Sequence, residues 1–159
     1  KIGLFIPCYV DAVYPEVGMA TYKLLKHLGL DVTYPQRQTC CGQPMANAGF
    51  EKQAIPLAEK FEEKFEGFDY VVSPSVSCTA FIKLNYSRLL NHECETAKRA
   101  MDVVEFLHDV IKVNHLGVGS DRRTGGDSPG EGDFLLIICN SLRYHQECIG
   151  IGKSGGGSA

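Results

Sequence analysis

The sequence predicts an α/β protein, a Rossmann-like three-layer sandwich around a short, mainly parallel sheet. Three short apolar runs, at residues 1–7, 31–34 and 68–73, are typical of strands buried inside such a sheet. Longer amphipathic segments separate these runs, and alternation of strand and helix is the βαβ pattern. The carboxyl ends of parallel strands lie along one edge, which is where open α/β sheets bind ligands.

The first predicted helix covers residues 15–28. Pro15 suits the first turn of a helix, and Gly29 suits the position just after a helix ends. Pro35 ends the second strand. The polar and small residues that follow predict a loop over residues 36–49.

The second long helix is predicted over residues 50–65. Apolar side chains recur at every fourth position above a charged face: Leu57, Phe61 and Phe65. Pro56 indicates either a kink or a true helix start near residue 55, because proline lacks the amide that a helix interior requires. Gly67 ends this helix before the third strand.

Two further helices complete the pattern. Ser75 or Ser77 is expected to cap a helix that runs to about residue 90. The last helix is predicted over residues 95–113, with a buried apolar face: Val103, Val104, Leu107, Val110 and Ile111.

Composition bounds the functional class. The chain has 159 residues, 44% of them apolar and 22% charged, which is typical of one soluble globular domain. A net charge of −3 gives no electrostatic basis for a nucleic acid or an anionic membrane as partner. No apolar run approaches the roughly 20 residues of a transmembrane helix, and KIGLFIP is too short for a signal peptide. An odd seven cysteines in such a chain predict a reducing, cytoplasmic location.

Four of the seven cysteines follow predicted strands. Cys8 comes after the first strand, Cys40 and Cys41 after the second, and Cys78 after the third. Clustered thiolates at one sheet edge are what a soft metal or an iron–sulfur cluster requires. Cys78 also begins a helix, whose amide groups stabilise a thiolate. Gly42 permits a positive φ and lets the backbone approach a cofactor closely.

Three motifs carry a family resemblance: FIPCY, QTCCGQPMANAGF at residues 38–50, and SPSVSC at residues 73–78. Over residues 1–113 the chain resembles the cysteine-rich CCG domain. That domain occurs in lactate utilisation iron–sulfur protein A, in heterodisulfide reductase and in the iron–sulfur component of glycolate oxidase. The lactate utilisation group is the nearest in motif, with CCGQP and SPSxSC typical of it.

The resemblance implies a cofactor and a role. Cys8, Cys40, Cys41 and Cys78 would bind an iron–sulfur cluster, [4Fe–4S] by count, with Gly42 and Ser75 beside it. Adjacent cysteines are awkward ligands for one cubane. The implied protein is an electron-transfer subunit of an oxidoreductase complex that oxidises L-lactate to pyruvate, with the substrate site on other subunits and no catalytic residue in this chain.

Two alternatives remain open. One is thiol–disulfide redox chemistry like that of heterodisulfide reductase, although Ser75 replaces the fifth thiolate of that family. The other is a zinc-binding or cluster-less interaction module. Cys94 is interpreted as incidental, Cys139 as the end of a strand, and Cys148 near His145 as weak support for zinc.

The end of the chain differs in character. Residues 117–133 contain six glycines in seventeen positions and predict a linker or loop within residues 114–133. FLLIIC, at residues 134–139, predicts an extra strand, followed by a disordered tail to residue 159. CCG-domain proteins usually carry a second copy of the motif. Its absence here predicts a truncated or altered second half.

Overall fold

The computed structural model describes residues 1–112, and within them the predicted α/β class is confirmed. The sheet has four strands, all parallel, in the order β2-β1-β3-β4. The strands are β1 Ile2–Leu4, β2 Val32–Thr33, β3 Tyr70–Ser73 and β4 Ala100–Asp102. The first three lie inside the predicted apolar runs but are shorter, because only part of each run pairs with a neighbour.

Helices connect the strands on both faces of the sheet. In chain order they are α1 Cys8–Val13, α2 Pro15–His27, α3 Gln43–Asn47, α4 Glu51–Phe65, α5 Val76–Leu90, α6 Glu95–Lys98 and α7 Val103–Glu105, which continues as a π-helical turn over Phe106–Val110. None of the helices within residues 1–112 is both long enough and apolar enough to cross a membrane.

Side chains of β1 and of the segment after it pack alternately into two separate hydrophobic cores, one on each face of the sheet. Leu4 packs with α2 and the segment after β4, whereas Phe5 packs with α4 and α5 on the other face. Aromatic rings dominate the second core, and the Phe5 ring meets Phe61 edge-on at a centroid distance of 5.3 Å. These two layers of helices enclose the sheet, which is the predicted three-layer arrangement.

Helix α4 begins at Glu51 and continues through Pro56, so the predicted alternative of a helix start near residue 55 is wrong. Pro56 is exposed and lies in the second turn, where the missing amide costs one hydrogen bond. The buried stripe of this helix is Ala54, Ala58, Phe61 and Phe65, with Leu57 only half-buried.

The predicted helix over residues 95–113 is wrong. The chain forms the short helix α6, then β4, which pairs with β3 through Val71 and Ala100, and only then becomes helical again. Asp102 interrupts the helical pattern, because its carboxylate accepts hydrogen bonds from the amides of Val104 and Glu105 and caps α7. Val104, predicted to be buried, is instead exposed.

The predicted loop over residues 36–49 also contains structure, since α3 forms directly after Gly42. Pro44 lies in its first turn, a position that favours helix formation. The capping prediction for α5 is confirmed at Ser75, whose hydroxyl accepts from the amide of Cys78. The predictions for residues 114–159, including Cys139 and Cys148, lie outside the described residues.

Candidate metal centre

The four cysteines predicted as ligands follow the carboxyl ends of three neighbouring strands. Cys8 is the first residue of α1, Cys78 lies in the first turn of α5, and Cys40 and Cys41 end the loop after β2. The strands before them are adjacent, with β1 between β2 and β3. The sheet order therefore brings to one edge thiols that lie up to seventy residues apart in sequence.

The thiols form two neighbouring pairs. Cys8 pairs with Cys40, and partial desolvation of the Cys8 thiol, together with the hydrogen bond and charge of Cys40, raises the pKa of Cys8 to about 11. Cys41 pairs with Cys78. The hydrogen bond between these two thiols, together with burial, raises the pKa of Cys41 far above the usual thiol range. The pairs also interact, because the charge of Cys78 acts on Cys8 and that of Cys40 acts on Cys41.

Cys78 differs from Cys8 and Cys41, because its pKa is lowered whereas theirs are raised. Its hydrogen bond with Cys41 lowers its pKa to about 7, and the hydroxyls of Ser75 and Ser77 add to that effect against the opposing effect of burial. Its amide donates to the Ser75 hydroxyl at 3.5 Å, which also accepts from the Tyr9 hydroxyl at 3.1 Å. Ser75 is thus a buried capping residue next to the thiols.

Gly42 has the predicted left-handed backbone, with φ of 87°. Its amide donates to the Cys40 sulfur at 3.4 Å. A Cβ at this position would lie 3.0 Å from the Cβ of Ala54, so both the backbone conformation and the close approach to α4 favour glycine. The residue turns the chain from the cysteine pair into α3.

Two residues that hold the cysteine loop were not predicted as site residues. The hydroxyl of Tyr86, on the fully buried face of α5, donates to the backbone carbonyl of Cys41 at 2.9 Å. Burial and the neighbouring thiols raise the pKa of Tyr86 far above its usual range. Gln38 hydrogen-bonds the backbone of β1 and of the segment after it, at Leu4 and Ile6. The sequence did offer a signal for Tyr86, because a tyrosine on the buried face of a predicted helix needs a hydrogen-bond partner for its hydroxyl.

Cys94 is completely buried, so its interpretation as incidental requires refinement. It lies at the start of α6 in the same core as Tyr86, and its amide donates to the Ser87 hydroxyl at 3.1 Å. Burial is the main cause that raises its pKa to about 11. These contacts define a packing residue. His92 and His108 are both exposed.

The donor set fits an iron–sulfur cluster by its chemistry, since four thiols are the usual complement of such a cluster. Among residues 1–112, no three His, Cys, Asp or Glu side chains are gathered closely enough to bind a single metal ion.

The family model described as "Cysteine-rich domain" (CCG) matches residues 2–83, which include all four clustered cysteines. The match extends over half of the chain and confirms the resemblance predicted from the motifs. The chain belongs to the cysteine-rich CCG domain family.

Within that family, the chain is similar to proteins named lactate utilization protein A. It is 40% identical to the protein of Geobacillus kaustophilus over 130 residues, which cover 77% of this chain and 54% of the relative. It is 37% identical to that of Bacillus pumilus over 74% of this chain and 52% of the relative, and 40% identical to that of Halalkalibacterium halodurans over 73% and 50%. The chain thus spans about half the length of these relatives. No solved structure matches it significantly.

Proposed function

We propose that this chain is an iron–sulfur electron-transfer protein of the lactate utilisation type, with a cluster bound by Cys8, Cys40, Cys41 and Cys78. The observation that carries the proposal is the meeting of four thiols, as two interacting pairs, after three adjacent parallel strands. The name of its relatives, lactate utilization protein A, supports the lactate utilisation part of the proposal.

The finer proposal is a [4Fe–4S] cluster. Four thiolates match its usual ligand number. The steric objection to adjacent ligands is eased, because Cys40 pairs with Cys8 while Cys41 pairs with Cys78. A bound cluster would supply one-electron chemistry at this edge of the sheet.

The chain's own residues would hold that cluster in an asymmetric environment. Cys41 and Cys78 are buried against the aromatic core, which keeps water from one side. Cys8 is exposed, so the opposite side faces solvent and is the side open to an electron-transfer partner. The chain would thus pass electrons between the substrate-oxidising subunit and the next carrier.

The proposed reaction is that of a cytoplasmic complex that oxidises L-lactate to pyruvate, with lactate bound on another subunit. Two of this chain's arginines are committed to structural contacts. Arg88 makes a bidentate ion pair with Glu51, and Arg99 donates to backbone carbonyls just after α4, including that of Phe68. Both side chains are thereby engaged in contacts within residues 1–112.

The test is anaerobic reconstitution of the full chain with ferrous iron and sulfide. We expect a brown protein with broad visible absorption and equal amounts of iron and sulfide. Replacing Cys41 or Cys78 by serine should abolish the colour, whereas Cys94→Ala, the control for loss of a buried cysteine, should retain it.

A colourless product with no bound iron would contradict the proposal, and bound zinc without iron would favour the zinc-binding alternative. Electron paramagnetic resonance distinguishes the other alternative, thiol–disulfide redox chemistry, from the proposed function. After oxidation in the presence of a thiol, a heterodisulfide-reductase-like site should give a radical-like signal, whereas an ordinary cubane should not.

A further inference from the structure

We propose that Gln38 is a positioning residue of the candidate metal centre. Its side-chain amide extends the sheet beyond β2 and so fixes Cys40 next to Cys8. The claim that this placement serves the binding of a cluster rests on the proposed function. The placement itself rests on hydrogen bonds among described residues, and it can be tested without any cluster.

Strand β2 ends before β1 has used all its hydrogen-bonding groups on that side. The Ile2 amide donates to the carbonyl of Asp31, toward β2, whereas the Phe5 amide donates to a carbonyl of β3. Because sides alternate along a strand, the backbone groups of Leu4 and Ile6 face the side where β2 has already ended. These groups need partners, since buried backbone groups are almost always paired.

The amide of Gln38 supplies those partners. Its Nε2 donates to the Leu4 carbonyl at 2.7 Å, and its Oε1 accepts from the Ile6 amide at 2.9 Å. In a parallel pair, one residue of a strand bonds in this way to residues i and i+2 of its neighbour. A primary amide carries one donor group and one carbonyl, so the side chain reproduces one residue of a parallel strand.

This contact joins the two segments that carry the first thiol pair. Ile6 lies two residues before Cys8, and Gln38 lies two residues before Cys40. The preceding residue, Arg37, adopts a left-handed φ of 59°, a conformation that residues other than glycine rarely adopt. The chain therefore holds an unfavourable backbone turn next to Gln38, and the two hydrogen bonds compensate for it.

The first test measures thiol proximity in the metal-free full chain. Gln38→Ala removes both hydrogen bonds, and Gln38→Glu keeps the side-chain size and the acceptor but replaces the donor to Leu4. Oxidation with diamide, which takes two electrons and two protons from a thiol pair, is followed by peptide mapping of the Cys8–Cys40 disulfide. We expect its formation rate to fall roughly tenfold in both variants, because Gln38→Ala loses both hydrogen bonds and Gln38→Glu loses one and sets a carboxylate oxygen against the Leu4 carbonyl.

The matched control is Gln36→Ala, because Gln36 lies in the same loop and its side chain is exposed. It should form the disulfide at the wild-type rate. Alkylation of Cys94, which is completely buried, reports on the fold and should stay slow in every variant. A second readout is the iron content after reconstitution, which should fall in Gln38→Ala and Gln38→Glu alone.

Equal disulfide rates in the wild type and both Gln38 variants would overturn the proposal. So would rapid alkylation of Cys94 in both variants, because Gln38 would then be a residue of general stability. If the wild type binds no iron, the proposed function fails, and the disulfide rates still decide whether Gln38 positions Cys40.

Discussion

At the scale of single residues, the candidate site depends on groups that contact the cysteine loop rather than on the cysteines alone. Tyr86 donates to the carbonyl of Cys41, and Gly42 supplies the left-handed turn that follows. Ser75 links the amide of Cys78 to the hydroxyl of Tyr9. Helix α5 contains Tyr86 and is capped by Ser75, and Tyr9 lies in α1, so two helices contribute to the geometry around the thiols.

Tyr86→Phe tests this at its most buried point. The substitution keeps the ring but leaves the buried carbonyl of Cys41 without its donor, so we expect a loss of about 1–2 kcal/mol in the free energy of unfolding. Urea unfolding of the metal-free protein measures it. Tyr14→Phe is the control, because Tyr14 is exposed and its loss should change little. Equal stabilities of Tyr86→Phe and wild type would show that the hydrogen bond contributes nothing.

At the scale of elements, the boundary between β4 and α7 decides how the sheet is completed. Asp102 is the last residue of β4 and the cap of α7 at the same time. Its carboxylate accepts from two amides, while burial raises its pKa above the ordinary aspartate value. The cap therefore stabilises the helix start, but its charge is partly opposed by burial.

Asp102→Ala should lower the free energy of unfolding by about 1 kcal/mol, and Asp102→Asn, which keeps an acceptor, by less. Because the pKa is raised in the folded state, ionisation of Asp102 costs stability as pH rises through that pKa. The stability of wild type relative to Asp102→Asn should thus improve as pH falls from neutral into the acid range. Denaturant unfolding at several pH values measures the free energy of unfolding of both proteins. A wild type that becomes more stable relative to Asp102→Asn toward neutral pH would contradict a raised pKa of Asp102.

At the scale of the whole molecule, the four thiols come from the segments after three different strands and lie at one edge of the sheet. A ligand that binds only the folded state stabilises that state by mass action. A cluster held by Cys8, Cys40, Cys41 and Cys78 would bridge residues far apart in the chain, so its binding should stabilise the entire domain.

We therefore expect a higher melting temperature for the reconstituted protein than for the metal-free protein, with the gain lost after treatment with an iron chelator. Cys78→Ser should show no gain on reconstitution, because one thiolate is missing. Differential scanning calorimetry under anaerobic conditions measures the shift. An equal melting temperature with and without bound iron would indicate a cluster that does not bridge the strand ends.

The sequence by itself determined the α/β class, the three strand–helix units and the cysteines that follow them. The apolar runs are local signals, and so are the residues that mark helix ends, Pro15, Gly29 and Ser75. The CCG motif is specific enough to define the family. Local patterns did not predict β4, because Ala100–Asp102 is too short for periodicity and becomes a strand only by pairing with β3.

Tertiary structure alone decided which thiols became neighbours. The strand order places β1 beside β2, which brings Cys40 near Cys8, and the loop after β2 also brings Cys41 to Cys78 after β3. It also gave Gln38 and Tyr86 their roles, since both depend on hydrogen bonds to distant backbone groups that remain unpaired until the sheet and its helices pack. A linear sequence records which groups can bond, whereas the packed fold determines which partners lie within reach.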